Sequence, residues 1–309
     1  MNKRQKAVQQ VLLNDEKAVL KNLKKTYKDA IKECDDLIAK LLAQEQTQSK
    51  IYQIEYQQMI RSQLNKIYQN MQQSNYATIS EYLQKCYTDS FVGCMYDLQG
   101  QGVPLAFPID QTQVTKAIQV DSKISKGLYQ HLGVNVDKLK DSIRQELTRG
   151  IANGQSYSRI AKAISQRSDV DFNRSLRIAR TEGHRVQTSA TLDAQIKAKD
   201  AGADIVKQWD ATLDSFTRDT HRELDGQIVD VEDDFVIPST GARASAPSLF
   251  GDPAEDCNCR CCLLQRAKWA IGGDITKMDN EQGEKHLVSI NESSYQAFST
   301  AYFNAVGHA

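Results

Sequence analysis

The densest chemistry in the chain is "EDCNCRCCLLQ", Glu255 to Gln265, where Cys257, Cys259, Cys261 and Cys262 place four of seven cysteines within six residues. In an extended strand alternate residues share a face, which would align Cys257, Cys259 and Cys261. A Cys-x-Cys pair on one face is half of a zinc site, and His221, on an expected short helix, offers an imidazole as third ligand. The fourth ligand is open between Cys257, Asp256 and Asp214, since zinc accepts thiolate, imidazole and carboxylate in tetrahedral arrangements. Thiolate plus imidazole favours zinc over magnesium or calcium. Such a metal would staple a small, acidic, loop-rich segment. The competing reading is packing, because free cysteine is among the most buried residue types.

The same residues sketch two reactions. A Cys-His pair near an acid is the outline of a thiol nucleophile, but no oxyanion-type glycine loop accompanies it and the neighbouring thiols would compete. Asp214, His221 and Glu223 outline a metal-dependent nuclease, without the further histidines and asparagines of such a site. Fragments without a complete geometry do not make an active site, so the expectation is a chain without turnover chemistry. A disulfide framework is disfavoured too. The cysteines are odd in number and unevenly spaced, and "MNKRQKAVQQVLLNDEK" lacks the apolar run of a secretory signal, which points to synthesis in a reducing cytoplasm. No stretch approaches the roughly 20 apolar residues of a membrane-spanning helix.

The elements that must position these groups are mostly helical. The 309 residues carry 39 basic and 39 acidic side chains, so whole-chain charge marks neither a nucleic-acid binder nor an acidic scaffold. From Arg4 to Gln73 there is neither proline nor glycine. Leu20, Leu23, Tyr27, Ile31, Cys34, Ile38 and Leu41 form one apolar stripe, and Ile60, Leu64, Ile67 and Met71 a second. Spacing by threes and fours predicts amphipathic helices, as a hairpin or as an arm that docks on a partner.

"GQGVPLAFPID", Gly100 to Asp110, breaks that pattern. Three helical stretches are expected beyond it: Val136–Gly154, a second opened by Ser156 as N-cap, and a third running from Phe172 to a stop at Gly202. "DIVKQWDAT" then alternates as a strand with Trp209 on its buried face. "LDSFTRDTHREL" predicts a helix starting at Asp214 or Ser215, and "DGQIVDVEDDFVIPS" two strand pieces after an Asp225-Gly226 turn, where Gly226 serves backbone geometry. The expected fold is α+β, mainly α: a long N-terminal helical arm or hairpin (1–106), central helices leading into a small α/β module with a short antiparallel sheet (107–265), and a peripheral tail (266–309). The closing strand is expected to carry the Cys-x-Cys.

Charge is uneven locally. Arg159, Lys162, Arg167, Arg174, Arg177, Arg180 and Arg185 outnumber Asp169, Asp171 and Glu182. A solvated helix face is the plain reading. Arg174, Arg177 and Arg185 are the candidates for sequence-independent contact with a DNA backbone. Glu182 can pair with Arg185 or Arg218, while Arg218 and Arg260 can bridge to Asp214 or Asp225. If such a pair is buried, truncating one partner costs about 3–5 kcal/mol.

Three elements, "ARTEGHR", "WDATLDSFTRDTHRELDGQ" and "CNCRC", resemble in order and spacing the phage head morphogenesis proteins, the Mu protein F-like minor head family. Arg180, Thr181 and Glu182 fit the first. Trp209, Asp214, Thr217, Arg218, His221, Leu224 and Gly226 fit the second, and Asn258, Cys259, Arg260 and Cys261 the third. The resemblance spans about Val136 to Leu264. Phe216 departs from it where relatives often carry arginine, and Cys257 and Cys262 are additional cysteines. It implies a minor head protein of a tailed phage or prophage, made in the bacterial host cytoplasm and located in the virion head. The implied partners are the portal protein during procapsid assembly, with scaffolding or major capsid protein and DNA beside it, and no membrane. The long N-terminal helices would offer the portal an apolar docking face. The competing class is a metal-dependent nuclease or toxin-like effector related to head proteins, for which the residues after Arg266 are too short to form an ordinary enzyme domain.

Overall fold

The computed structural model describes residues 1–42, 50–120, 145, 157–271 and 289–306. Its elements are α1 (Lys3–Leu42), α2 (Lys50–Gly100), α3 (Gln111–Thr115) running into a π-helical turn (Lys116–Val120), α4 (Tyr157–Asp200), β1 (Ile205–Asp210), α5 (Asp219–Leu224), β2 (Ile228–Asp230), β3 (Phe235–Val236), β4 (Arg243–Ala244), α6 (Pro253–Asp256), β5 (Cys262–Ala267), a 3-10 turn (Lys268–Ile271) and α7 (Tyr295–Val306). The fold is α+β and mainly α, as the sequence implies. Among the described residues no helix is long and apolar enough to cross a membrane.

The chain forms two units, one of residues 1–16, 82–124 and 180–309, the other of residues 17–81 and 125–179. In the second unit, Val19, Leu23, Tyr27, Ala30 and Cys34 are the buried stripe of α1, with Met71 and Ile79 buried on α2. Leu20 and Ile31 lie half-buried at its edge, one residue off the expected line, because a 3.6-residue helix drifts against a fixed spacing. The side chains of Ile38, Leu41, Ile60 and Leu64 lie outside the described residues, as do the helix expected over 136–154, apart from residue 145, and the Ser156 cap. The two helices expected between Ser156 and Gly202 are one, α4. It ends where Gly202 takes a left-handed φ of 87°, which an L side chain resists.

In the first unit, the opening turns of α1 run antiparallel to the last turns of α2. A Cβ on Gly93 would come within 2.5 Å of Val8 Cγ1, so that crossing requires a residue without a side chain. The tail expected to be peripheral is not: Tyr295, Phe298 and Tyr302 of α7 are buried. The Phe298 ring sits 5.0 Å from that of Tyr96, and Tyr295 Oη donates to Asp89 Oδ1 at 2.8 Å. Aromatic spacing of three and four residues on one helix face is what inserts there.

The sheet is antiparallel in the order β2-β1-β5, and β3 pairs with β4 separately. Trp209 on β1 faces Leu263 on β5. Beneath them lies a core of Trp209, Leu224, Phe235, Ile237, Ala246, Cys259, Cys261 and Leu263.

Two local expectations are corrected. The helix expected to start at Asp214 or Ser215 begins at Asp219. The Asp214 carboxylate is spent on the turn before it, accepting from Phe216 N at 2.9 Å, and so cannot cap a helix there. The Cys-x-Cys precedes β5 instead of lying within it. Asn258, at a φ of 55°, turns the chain between α6 and the strand.

Candidate functional site

That left-handed turn decides which cysteines meet. From Cys259 onward the backbone is extended enough for Cys259, Cys261 and Leu263 to point inward, while Cys257, on the far side of Asn258, is only half-buried. His221 reaches the same place from α5, with 2% of its surface exposed. Its Nδ1 lies 3.3 Å from Cys261 Sγ and 3.7 Å from Cys259 Sγ. The ligand atoms of His221, Cys259 and Cys261 all fall within 4.8 Å of one another.

The imidazole is held from its other sides. Nε2 lies 3.0 Å from Glu255 Oε2, which also accepts from Thr220 Oγ1 at 2.9 Å. Phe250 stacks on the ring at 6.1 Å and 20°, and Trp209 meets it edge-on at 5.7 Å. A carboxylate that close can orient a ligating histidine, although among the described residues Nε2 itself makes no hydrogen bond. The two thiols are unequal. The contact with Cys261, then that with His221, holds Cys259 well below its ordinary range; the same Cys259–Cys261 contact, with burial, pushes Cys261 up. Because the two groups interact, they titrate as a pair and not as two separate thiols. Two sulfurs and one nitrogen, converging and with a carboxylate close to the imidazole, suit a soft-to-borderline divalent metal.

None of the candidate fourth ligands joins the cluster. The Asp256 oxygens accept from Phe250 N at 3.0 Å and Gly251 N at 2.7 Å. Asp214 forms a two-pronged pair with Arg260, both contacts 2.6 Å, and this pair holds its carboxyl well below the usual range. Cys257 offers its carbonyl to Arg218 Nη2 at 2.6 Å, and its thiol lies outside the His221–Cys259–Cys261 group. The nuclease set is likewise dispersed, because Glu223 Oε2 accepts from Ser239 N at 2.9 Å.

The family positions on α4 are buried or ion-paired. Glu182 and Arg185 are buried and ion-paired at 2.9 Å, and Arg185 Nη2 donates to the Ala117 carbonyl at 2.7 Å. Arg185 is therefore corrected as a DNA-contact candidate, since a guanidinium 3% exposed presents no charge to a phosphate. Arg177 is exposed, and the Arg174 side chain lies outside the described residues. Arg180 pairs with Glu16 at 2.9 Å. Trp209 is fully buried, and Gly226 takes a φ of 80° at its turn. A cleft of about 970 Å³ runs past this side, with Arg180, His184, Phe216, Arg218, Cys259 and Arg260 in its wall. Sequence reasoning missed Glu255, whose signal was its place within the cysteine segment, and Phe250, which carries no local signal at all.

Residues 141–264 match the family described as Phage Mu protein F like protein. The chain is 28% identical over 266 residues to Minor head protein GP7 of Bacillus phage SPP1, covering 82% of this chain and 83% of that protein. It is 34% identical over 230 residues to a protein of Enterococcus faecalis named NAD(+)--arginine ADP-ribosyltransferase EFV, covering 73% of this chain. It spans 46% of that protein's length. An uncharacterized protein of Haemophilus influenzae is 27% identical over 131 residues. No solved structure matches. The Enterococcus relative overturns the expectation of a chain without turnover chemistry, since a protein this similar carries the name of an enzyme.

Proposed function

Because residues 141–264 belong to the phage Mu protein F-like family, we propose that the chain is a portal-associated minor head protein of a tailed phage or prophage, acting in head assembly. The observation that carries this is the reach of the match to the SPP1 minor head protein, which takes in 83% of that protein and 82% of this one. A shared module alone would match over a fraction of both. The portal protein is the first partner, with scaffolding or major capsid protein next to it in the procapsid. DNA contact, independent of sequence, falls to the exposed Arg177 and to Arg174 on α4. The protein would be made in the host cytoplasm and reside in the virion head.

Zinc held by His221, Cys259 and Cys261 would cross-link α5 to the segment before β5, closing the small module over Trp209. When bound, the ion supplies cohesion that a core of eight residues lacks by itself. Mass spectrometry of procapsids purified from induced cells tests the assembly role. The chain is expected in wild-type procapsids and absent from those of a portal deletion. Equal amounts in both, or none in either, would refute the portal-associated assignment.

A second reading, a toxin-like effector related to head proteins, is favoured by the name of the Enterococcus relative. Incubating the purified chain with labelled NAD+ and host extract tests it. Transfer of label to host protein supports that reading, and its absence at high enzyme concentration removes it.

A further inference from the structure

We propose that the metal held by His221, Cys259 and Cys261 keeps one coordination position open toward the cleft and takes an exchangeable carboxylate there. This rests on the metal reading above. Zinc prefers four ligands, and sites with three protein ligands plus an open position are the exchangeable ones. Among the described residues the cluster supplies three; the Asp256 and Asp214 carboxylates are committed elsewhere, and the Cys257 thiol lies outside the cluster. His184, the other nearby imidazole, has Nδ1 3.3 Å from Ser248 Oγ and 3.4 Å from Thr188 Oγ1.

The open side is identifiable because Cys259 belongs at once to the cluster and to the cleft wall. Beside it stand Arg180, Arg218 and Arg260. What these arginines already hold indicates the ligand class: Arg180 pairs with the Glu16 carboxylate and Arg260 with that of Asp214. Zinc with two thiolates and a neutral imidazole carries no net charge. A carboxylate added at the fourth position brings one negative charge, which is favoured by Arg218, a wall cation that donates to the neutral Cys257 carbonyl. Arginine forks match the planar geometry of a carboxylate.

The test uses the full chain loaded with Co2+ in place of zinc, titrated with sodium acetate at ionic strength held constant with perchlorate. Expected are a thiolate-to-cobalt charge-transfer band that persists and visible d–d bands that shift saturably. Acetate affinity should weaken several-fold in Arg180→Gln, a residue that does not touch the cluster. Bands indifferent to acetate, or a shift indifferent to Arg180, overturn the open position or its cleft-side placement. Absence of the charge-transfer band overturns the metal reading itself, which is thereby distinguished from failure of the fourth position.

Discussion

Asp97 Oδ2 accepts a hydrogen bond from Gln265 Nε2 at 2.6 Å, joining the last turns of α2 to β5 across 168 positions. The same oxygen accepts from Gln5 at 2.7 Å and Gln101 at 2.8 Å, and Oδ1 accepts from Asn2 at 2.5 Å. Asp97 is fully buried. Burial raises its pKa and the four side-chain amides pull it back, so a carboxylate is solvated here by amides in place of water.

Truncating that carboxylate leaves several buried amide donors unpaired, at about 1–3 kcal/mol each. Asp97→Ala is expected to destabilise the first unit by at least about 3 kcal/mol, with Asp97→Asn milder because it keeps one acceptor. Urea unfolding of both variants measures this; an Ala variant as stable as wild type would show the network to be idle.

At Gly183 two effects oppose. Alanine gains about 0.5–1 kcal/mol of helix stability over glycine, but its Cβ would fall 2.4 Å from Tyr82 Oη and 2.6 Å from Cε1. Overpacking of that kind costs about 1–3 kcal/mol, so Gly183→Ala is expected to lose stability. In a double-mutant cycle, Gly183→Ala with Tyr82→Leu should be more stable than the sum of the single changes. Strict additivity would mean that the two sites do not meet.

The two arginine pairs should behave oppositely. Arg185 and Glu182 are buried, and Arg185→Met strands a carboxylate, at about 3–5 kcal/mol. Arg260 and Asp214 are 46% and 38% exposed, so Arg260→Ala is expected to leave the unfolding midpoint nearly unchanged, despite the better geometry. Thermal denaturation of the two variants side by side decides it, and the reverse order of damage would overturn the argument.

Lys207 is 1% exposed, donates to the Ser245 carbonyl at 2.8 Å, and has its pKa lowered by burial to about 8. Between about 8 and the ordinary 10.5 the unfolded chain binds one more proton than the folded one, so this group makes stability rise with pH there. The slope is at most about 1.4 kcal/mol per pH unit. Below pH 8 both states are charged and the slope vanishes. Subtracting the stability–pH curve of Lys207→Met isolates the effect; a flat difference between pH 8 and 10 would show that the lysine is not desolvated.

Protein purified without chelator is expected to hold close to one zinc per chain, and Cys259→Ser/Cys261→Ser to lose both the metal and several degrees of melting temperature. His221→Ala should do the same. Metal-free wild type that melts as a chelator-treated control does would reduce the cluster to packing.

Some of this was legible beforehand, and for a stated reason each time. The stripe through Leu23, Tyr27 and Cys34 follows from helical period, and β1 from alternation around Trp209. The boundaries of the cysteine segment were not legible, because they turn on Asn258 adopting a left-handed φ, which its residue type permits without requiring. Arg185 looked like a surface cation on a basic run; only the packing of Ala117 and Glu182 around it shows otherwise. Partners distant in the chain, such as Asp97 with Gln265 or Phe250 with His221, leave no periodic trace.

The first unit is assembled from three separated stretches, 1–16, 82–124 and 180–309, and Gln5 finishes its hydrogen bonding at Asp97 and Gln265. On a ribosome adding about 5–20 residues per second, Gln5 waits on the order of tens of seconds before β5 exists. Throughout that interval the apolar edge of α1 around Val8 and Leu12 has no finished surface to cover it. Synthesis speed and chaperone supply, as much as equilibrium stability, then bear on how much native protein a cell accumulates.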